Sequence, residues 1–83
     1  MQIRFTRHAE EKFNVLARHG WNISRDKVEE TVQSSVILDY SRSPLVIAQS
    51  PLDENHVLRV VYKQEEGIRV VITFYPGRKN QYE

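Results

Sequence analysis

The hydrophobic period of this chain changes once, at Ser34-Ser35, from about 3.6 residues to about 2. Ahead of the change, a short apolar lead, Ile3 and Phe5, precedes Thr6, whose hydroxyl is placed to cap a helix. Phe5, Ala9, Phe13, Leu16 and Ala17 recur along it at three and four residues, and Gly20 stops it. Ser24 opens a second helix, with Ile23 and Val28 as a hydrophobic staple and Val28, Thr31 and Val32 as the inward stripe. Past the change, β-branched residues predict four strands: Val36-Ile37-Leu38, Leu45-Val46-Ile47, His56 to Lys63 and Ile68 to Tyr75. Turn formers separate them at residues 41–44, 50–55 and 65–67. Two helices on one face of an antiparallel four-stranded meander make a small α+β domain.

The last hairpin fixes which residues share a face. Glu65-Glu66-Gly67 predicts a three-residue loop ending in a glycine bulge, so that Gln64 faces Ile68. Tyr62, Val60 and Leu58 then lie beside Val70, Ile72 and Phe74 on an apolar side that holds the helices. A two-residue loop would shift the pairing by one and set Arg59 among those apolar residues, an unpaired buried guanidinium costing roughly several kcal/mol. The three-residue register leaves the opposite, open side with Arg59, Lys63, Arg69, Thr73 and Tyr75, and the tail adds Arg78, Lys79 and Tyr82.

Size and charge narrow what such a surface can do. In 83 residues folding hides only about 60% of the unfolded chain's surface, so a single core uses most apolar side chains and leaves no room for a deep cofactor cavity. With no cysteine, disulfides, thiolate metal sites and cysteine nucleophiles are excluded. The opening Met-Gln-Ile-Arg-Phe-Thr-Arg-His has scattered charges and no apolar run, which predicts a soluble cytoplasmic protein that does not engage membranes. A net charge of +1 gives no global field toward nucleic acid, so a basic site must be local. Cations interleaved with aromatics, as on the open side and tail, suit a phosphate backbone with stacked bases.

Phe5-Thr6-Arg7-His8-Ala9 with Lys12, then Arg18-His19-Gly20-Trp21-Asn22-Ile23-Ser24 and Val28-Glu29-Glu30-Thr31-Val32, resemble the opening of a family of small bacterial and archaeal proteins of unassigned function. Its pattern runs F-S/T-x-H-A-x-x-R/K, then R-x-G/I, then V-x-x-T/A-V/L/I. Its strands end L-R-V-V-Y and V-V-T-x-Y-P, similar to Leu58-Arg59-Val60-Val61-Tyr62 and Val70-Val71-Ile72-Thr73-Phe74-Tyr75-Pro76. That family looks like a branch of the RelE/ParE toxin superfamily, with BrnT-type toxins the nearest characterised relatives in order of elements. The resemblance covers nearly the whole chain and implies a RelE/ParE-like domain. RelE-like members cut mRNA, often on the ribosome, and are neutralised by a partner antitoxin, whereas ParE-like members inhibit DNA gyrase. The net charge of +1 departs from the strongly basic composition usual for the RNA-cutting branch.

RNA cleavage by the 2′-hydroxyl needs a base, an acid and cations beside the phosphorane, and neither metal nor cofactor. Arg59, Arg69 and Arg78 are placed to clamp the phosphate, and the resemblance favours Arg59 and Arg78 for catalysis. The plainer reading pairs Arg59 and Arg69 across strands with Glu54 or Glu65. His8, the family's signature residue, shares a helical stripe with Lys12, Val15 and His19, and is either a general acid or base or a structural histidine bonded to a strand carbonyl or to Tyr62. The resemblance also brings in Tyr82, since RelE-like toxins often carry a tyrosine near the C-terminus that stacks on a base or moves a proton. Lys12, Lys63, Arg69, Thr73 and Lys79 complete the expected substrate-binding set. Asp26, Glu29 and Glu30 read as a solvated helix face, and Trp21 as the cover of the helix junction or, alternatively, an anchor for a partner.

The expected function is thus a toxin-like endoribonuclease acting on RNA, ribosome-bound mRNA included, with an antitoxin protein as partner and homo-oligomerisation open. The alternatives are a non-catalytic nucleic-acid or protein binding module on the same fold and a ParE-like gyrase inhibitor.

Overall fold

The computed structural model describes residues 2–34 and 37–79. The alternating lead Gln2–Phe5 is itself a strand, β1. Thr6 follows it and starts α1 (Arg7–Arg18): its hydroxyl accepts the Ala9 N–H at 3.2 Å and donates to the Ile72 carbonyl at 3.2 Å. One side chain therefore caps the helix and ties its first turn to the far end of the chain. Gly20 ends the helix at φ +85°, a conformation open to glycine without a side-chain penalty, and the Trp21 N–H closes back on the Leu16 carbonyl at 2.9 Å. The second helix, α2 (Arg25–Ser34), is capped as expected, with Ser24 Oγ accepting the Lys27 N–H at 3.0 Å and the staple residues Ile23 and Val28 buried.

Four more strands follow: β2 (Ile37–Asp39), β3 (Val46–Pro51), β4 (His56–Glu65) and β5 (Ile68–Arg78). Val36, expected to open the first of them, lies outside the described residues. The chain is α+β, with both helices on one side of the sheet, but the sheet has five strands in the order β1-β5-β4-β3-β2, not four. It is also mixed rather than antiparallel, because β1 runs parallel to β5 with Gln2 beside Ile68 and Phe5 beside Val71. A four-residue strand whose partner lies at the other end of the sequence carries no hairpin signal, so the period alone does not distinguish it from a lead into the helix. Pairing also extends β3 to Pro51, through the weak strand formers Ala48, Gln49 and Ser50.

The β4–β5 hairpin departs from the predicted register. Glu65 faces Ile68, so the loop is the two residues Glu66 and Gly67, both at positive φ (48° and 82°). The expected conflict with Arg59 does not arise, because a bulge follows: Tyr62 faces Val71 but Val61 faces Thr73, leaving Ile72 as the extra residue. Beyond the bulge Arg59 is opposite Tyr75, on the side away from the helices, as expected. Between turn and bulge the sides of β5 are exchanged relative to the prediction, while those of β4 are not. Val71 is fully buried while Val70 is only partly covered.

The core lies between the helices and the sheet. Leu58, Val60, Val71 and Phe74 contact the apolar sides of α1 and α2, and the Phe13 ring bridges Phe74 at 4.7 Å and Phe5 at 5.8 Å. Arg25 stacks its guanidinium 4.5 Å from the Phe5 centroid and pairs with Glu10, joining the start of α2 to α1. Ala17, counted with the inward stripe of α1, is exposed.

Candidate functional site: a histidine–aspartate pair beside two cations

The cations expected to act together are distributed over different parts of the surface. Arg59 is half-buried near the middle of the open side, between Gln49 of β3 and Tyr75 of β5 in the strand register. Asp39, at the edge of the same side, has a carboxyl held below its ordinary value by hydrogen bonds from Ser41, with Arg59 and Arg42 adding favourable charge. Lys63 and Thr73 share that side, and Lys63 Nζ pairs with Glu65 at 2.6 Å.

Arg69 does not belong there. Because the turn has two residues, its side chain reaches the helix side, donates from Nη1 to the Val32 carbonyl at 2.6 Å and lies 5.5 Å from the Tyr62 ring centroid. It closes the C-terminal end of α2, on the opposite side of the sheet from Arg59. The expected pairing of Arg59 or Arg69 with Glu65 is likewise replaced by Lys63–Glu65. His8 is exposed on α1, across the sheet from Arg59, and its side chain makes no hydrogen bond to any described residue, so the strand-carbonyl or Tyr62 contact is not formed. Lys12, one turn on, is half-buried. Tyr82 lies outside the described residues.

Arg78 is at the end of β5 and faces His56, the first residue of β4. Since residues 56 and 59 are an odd number of positions apart, Arg78 and Arg59 lie on opposite sides of the sheet and do not form one clamp. Arg78 instead has different company. With Lys79, Glu54, Asn55 and His56 it lines a cleft of about 340 Å³ where the β3–β4 loop meets the end of β5. The Lys79 N–H donates to the Asn55 carbonyl at 2.9 Å and holds the two segments together.

The loop pairs His56, which lines this cleft, with Asp53. Asp53 Oδ1 accepts the Asn55 N–H at 2.8 Å, an Asx turn that fixes the carboxylate, and the same carboxylate lies 2.9 and 3.1 Å from His56 Nδ1. Those two bonds, the backbone one first, keep the Asp53 carboxyl below its ordinary value. An ionised carboxylate can only accept, so Nδ1 carries the hydrogen and Nε2 of the neutral ring is left as a base. The Trp21 ring meets the His56 ring nearly edge-on, centroids 4.8 Å apart, and supports it from the helix junction. Among the described residues neither Arg78 nor Lys79 has a carboxylate partner.

The chain matches no protein-family model, no curated protein and no solved structure. Its site therefore has to be read from its own geometry. Among the described residues no three His, Asp or Glu side chains converge as metal ligands, and no helix is long and apolar enough to cross a membrane. His56 and Asp53 were not among the residues that the sequence singled out for catalysis. The signal available was Asp-x-x-His across the start of a strand, and it acquires meaning only when the β4–β5 register brings Arg78 alongside.

Proposed function

We propose that this chain is a RelE/ParE-like, toxin-type endoribonuclease that cuts RNA without a metal, and that its site is the cleft where β4 begins and β5 ends. The observation that carries this reading is the Asp53 carboxylate 2.9 Å from Nδ1 of His56, which lines a cleft together with Arg78 and Lys79. A phosphodiester held by the two cations would have its 2′-hydroxyl within reach of His56 Nε2. The imidazole takes the hydroxyl proton as the 2′-oxygen forms its bond to phosphorus. The bond from phosphorus to the 5′-oxygen breaks, and the departing oxygen takes the proton back, leaving a 2′,3′-cyclic phosphate and a 5′-hydroxyl. Asp53 keeps the ring in the required tautomer and stabilises the imidazolium, while Arg78 and Lys79 meet the charge that grows on the phosphorane. Arg59 and His8 lie outside this cleft and take no step in the reaction.

The test is digestion of a single-stranded RNA oligonucleotide by the purified protein in a chelator, with products identified by mass. Wild type is expected to leave 2′,3′-cyclic phosphate ends, and His56→Ala to lower the rate by about 10²–10⁴-fold. Arg78→Ala should lower it as well, whereas Arg59→Ala in a folded protein should retain activity. Products unchanged by His56→Ala, or none from wild type, would overturn the reading. RNA retained without cutting would then indicate a binding module, and DNA-damage signalling with mRNA left intact a gyrase inhibitor.

A toxin of this type takes a protein antitoxin, and one surface favours a protein partner: the edge strand β2 and the residue after it expose Ile37, Leu38 and Tyr40. Leu38→Lys is expected to abolish neutralisation by the antitoxin in co-expression while leaving cleavage intact. Neutralisation unaffected by that change would place the partner elsewhere.

A further inference from the structure

The Trp21 ring that supports His56 has a second neighbourhood. Beside it, where α1 turns into α2, is a hollow of about 230 Å³ lined by Phe13, Ala17, Trp21, Asn22, Ile23 and Ser24. We infer that this hollow is a nucleobase site, that its ligand is an unpaired base of single-stranded RNA, and that it sets which nucleotide flanks the phosphate bound at His56.

Three observations converge on that ligand. The first is chemical. The walls are two aromatic rings, aliphatic carbon and Ser24, whose hydroxyl is engaged as the cap of α2, with one primary amide, the exposed Asn22. An aromatic surface with an amide that both donates and accepts is what recognises the face and the edge of a splayed-out base. The second is size. Sites for drug-sized ligands and cofactors run to about 300–1,000 Å³. The hollow is smaller than that and suits one heterocycle, while the His56 cleft, at about 340 Å³, is only at the lower limit.

The third observation is continuity. Trp21 belongs to the wall of the hollow and also touches His56 of the cleft, at 4.8 Å between ring centroids. A nucleotide is a base and a phosphate joined through one sugar, and two hollows, one aromatic and one cationic, linked by the Trp21–His56 ring contact, match that division. The exposure of Ala17 fits the same picture. In the apolar stripe of α1 it is the member that faces this hollow instead of the core, and a small side chain keeps the mouth open. The inference rests on the phosphate reading of the His56 cleft, but it is tested separately from cleavage.

Trp21 is the only tryptophan in the chain, so intrinsic fluorescence reports this site directly. The full chain is titrated with a single-stranded hexamer carrying 2′-O-methyl sugars, which cannot be cut, and with the same hexamer containing abasic positions. Saturable quenching by the first is expected, with the abasic hexamer binding about tenfold or more weakly, as loss of a base stack implies. Ala17→Leu, an exposed helical change that narrows the mouth without touching the core, should weaken the intact hexamer and leave the abasic one unaffected. Asn22→Ala should level the preference among bases. Equal binding of the two hexamers, or no quenching, overturns the inference even where His56-dependent cleavage is seen. Base-dependent quenching without cleavage keeps the nucleobase site and removes the ribonuclease reading. Quenching only by a protein from the same operon would reassign Trp21 as an anchor for a protein partner and overturn the inference.

Discussion

Arg69 shows how a single side chain changes meaning with register. On an alternating strand it reads as one of several cations on an open surface, but its guanidinium is partly buried, bonds to the last turns of α2 and lies over Tyr62. Arg69→Ala removes a charged hydrogen bond to a helix-terminal carbonyl, and the expected loss is about 1–2 kcal/mol. Arg69→Met, which restores apolar cover for Tyr62 but not the bond, should recover only part of it. Chemical denaturation of the two variants measures this, with RNA cleavage unchanged in both; a variant as stable as wild type but inactive would return Arg69 to the substrate-binding set. At this scale the sequence was least legible. Arg78 and Lys79 were singled out by their charge, and they line the cleft. His56 and Asp53 were not, because their pairing depends on an Asx turn, which gives neither a charge cluster nor a hydrophobic period.

Elements were more legible where their signals are local. Both helix caps, the staple and the stop at Gly20 are visible from residues within one turn of each other, and all four form as the residue types dictate. Strand pairing is a longer-range matter. Glu65-Glu66-Gly67 supports either a three-residue loop or a two-residue turn, and the cost of burying Arg59 decides against the latter only for a regular ladder. The bulge at Ile72 removes that condition, and Thr6 holds it in place: the Thr6 N–H donates to the Val71 carbonyl at 3.0 Å and its hydroxyl to that of Ile72. Thr6→Val keeps the size, the shape and the backbone bond to Val71 but loses both the cap and the hydroxyl's bond to Ile72. A loss of about 1–2 kcal/mol is expected in thermal or urea unfolding, most of it recovered in Thr6→Ser. If Thr6→Val unfolds like wild type, the bulge is held by the strand pairing and the residue-6 backbone bond, without the hydroxyl.

For the whole molecule, the fold class and the placing of both helices on one side followed from the single change of period, because that change dictates which residues can be buried together. The distribution of charge adds a consequence for stability. Asp53 and Asp39 both have carboxyls below the ordinary 3.8 in the folded chain, the first through Asn55 and His56 and the second through Ser41, while burial raises the Tyr62 hydroxyl above its ordinary 10.0. Below pH 3.8 the unfolded chain takes up protons that folded Asp39 and Asp53 still refuse, so their stabilisation, fully present above 3.8, is lost as pH falls through the depressed folded values. Above pH 10.0 the unfolded chain releases a proton that folded Tyr62 keeps, so stability declines from 10.0 upward until the folded hydroxyl ionises. Urea midpoints followed across pH should therefore form a plateau with two shoulders. Asp53→Asn with Asp39→Asn should flatten the acid shoulder and leave the alkaline one, and Tyr62→Phe the reverse. An acid shoulder untouched by the double change would mean that the Asx turn at Asp53 does not persist in the folded chain. Because that turn also orients His56, the same result would remove the geometry on which cleavage at this cleft depends.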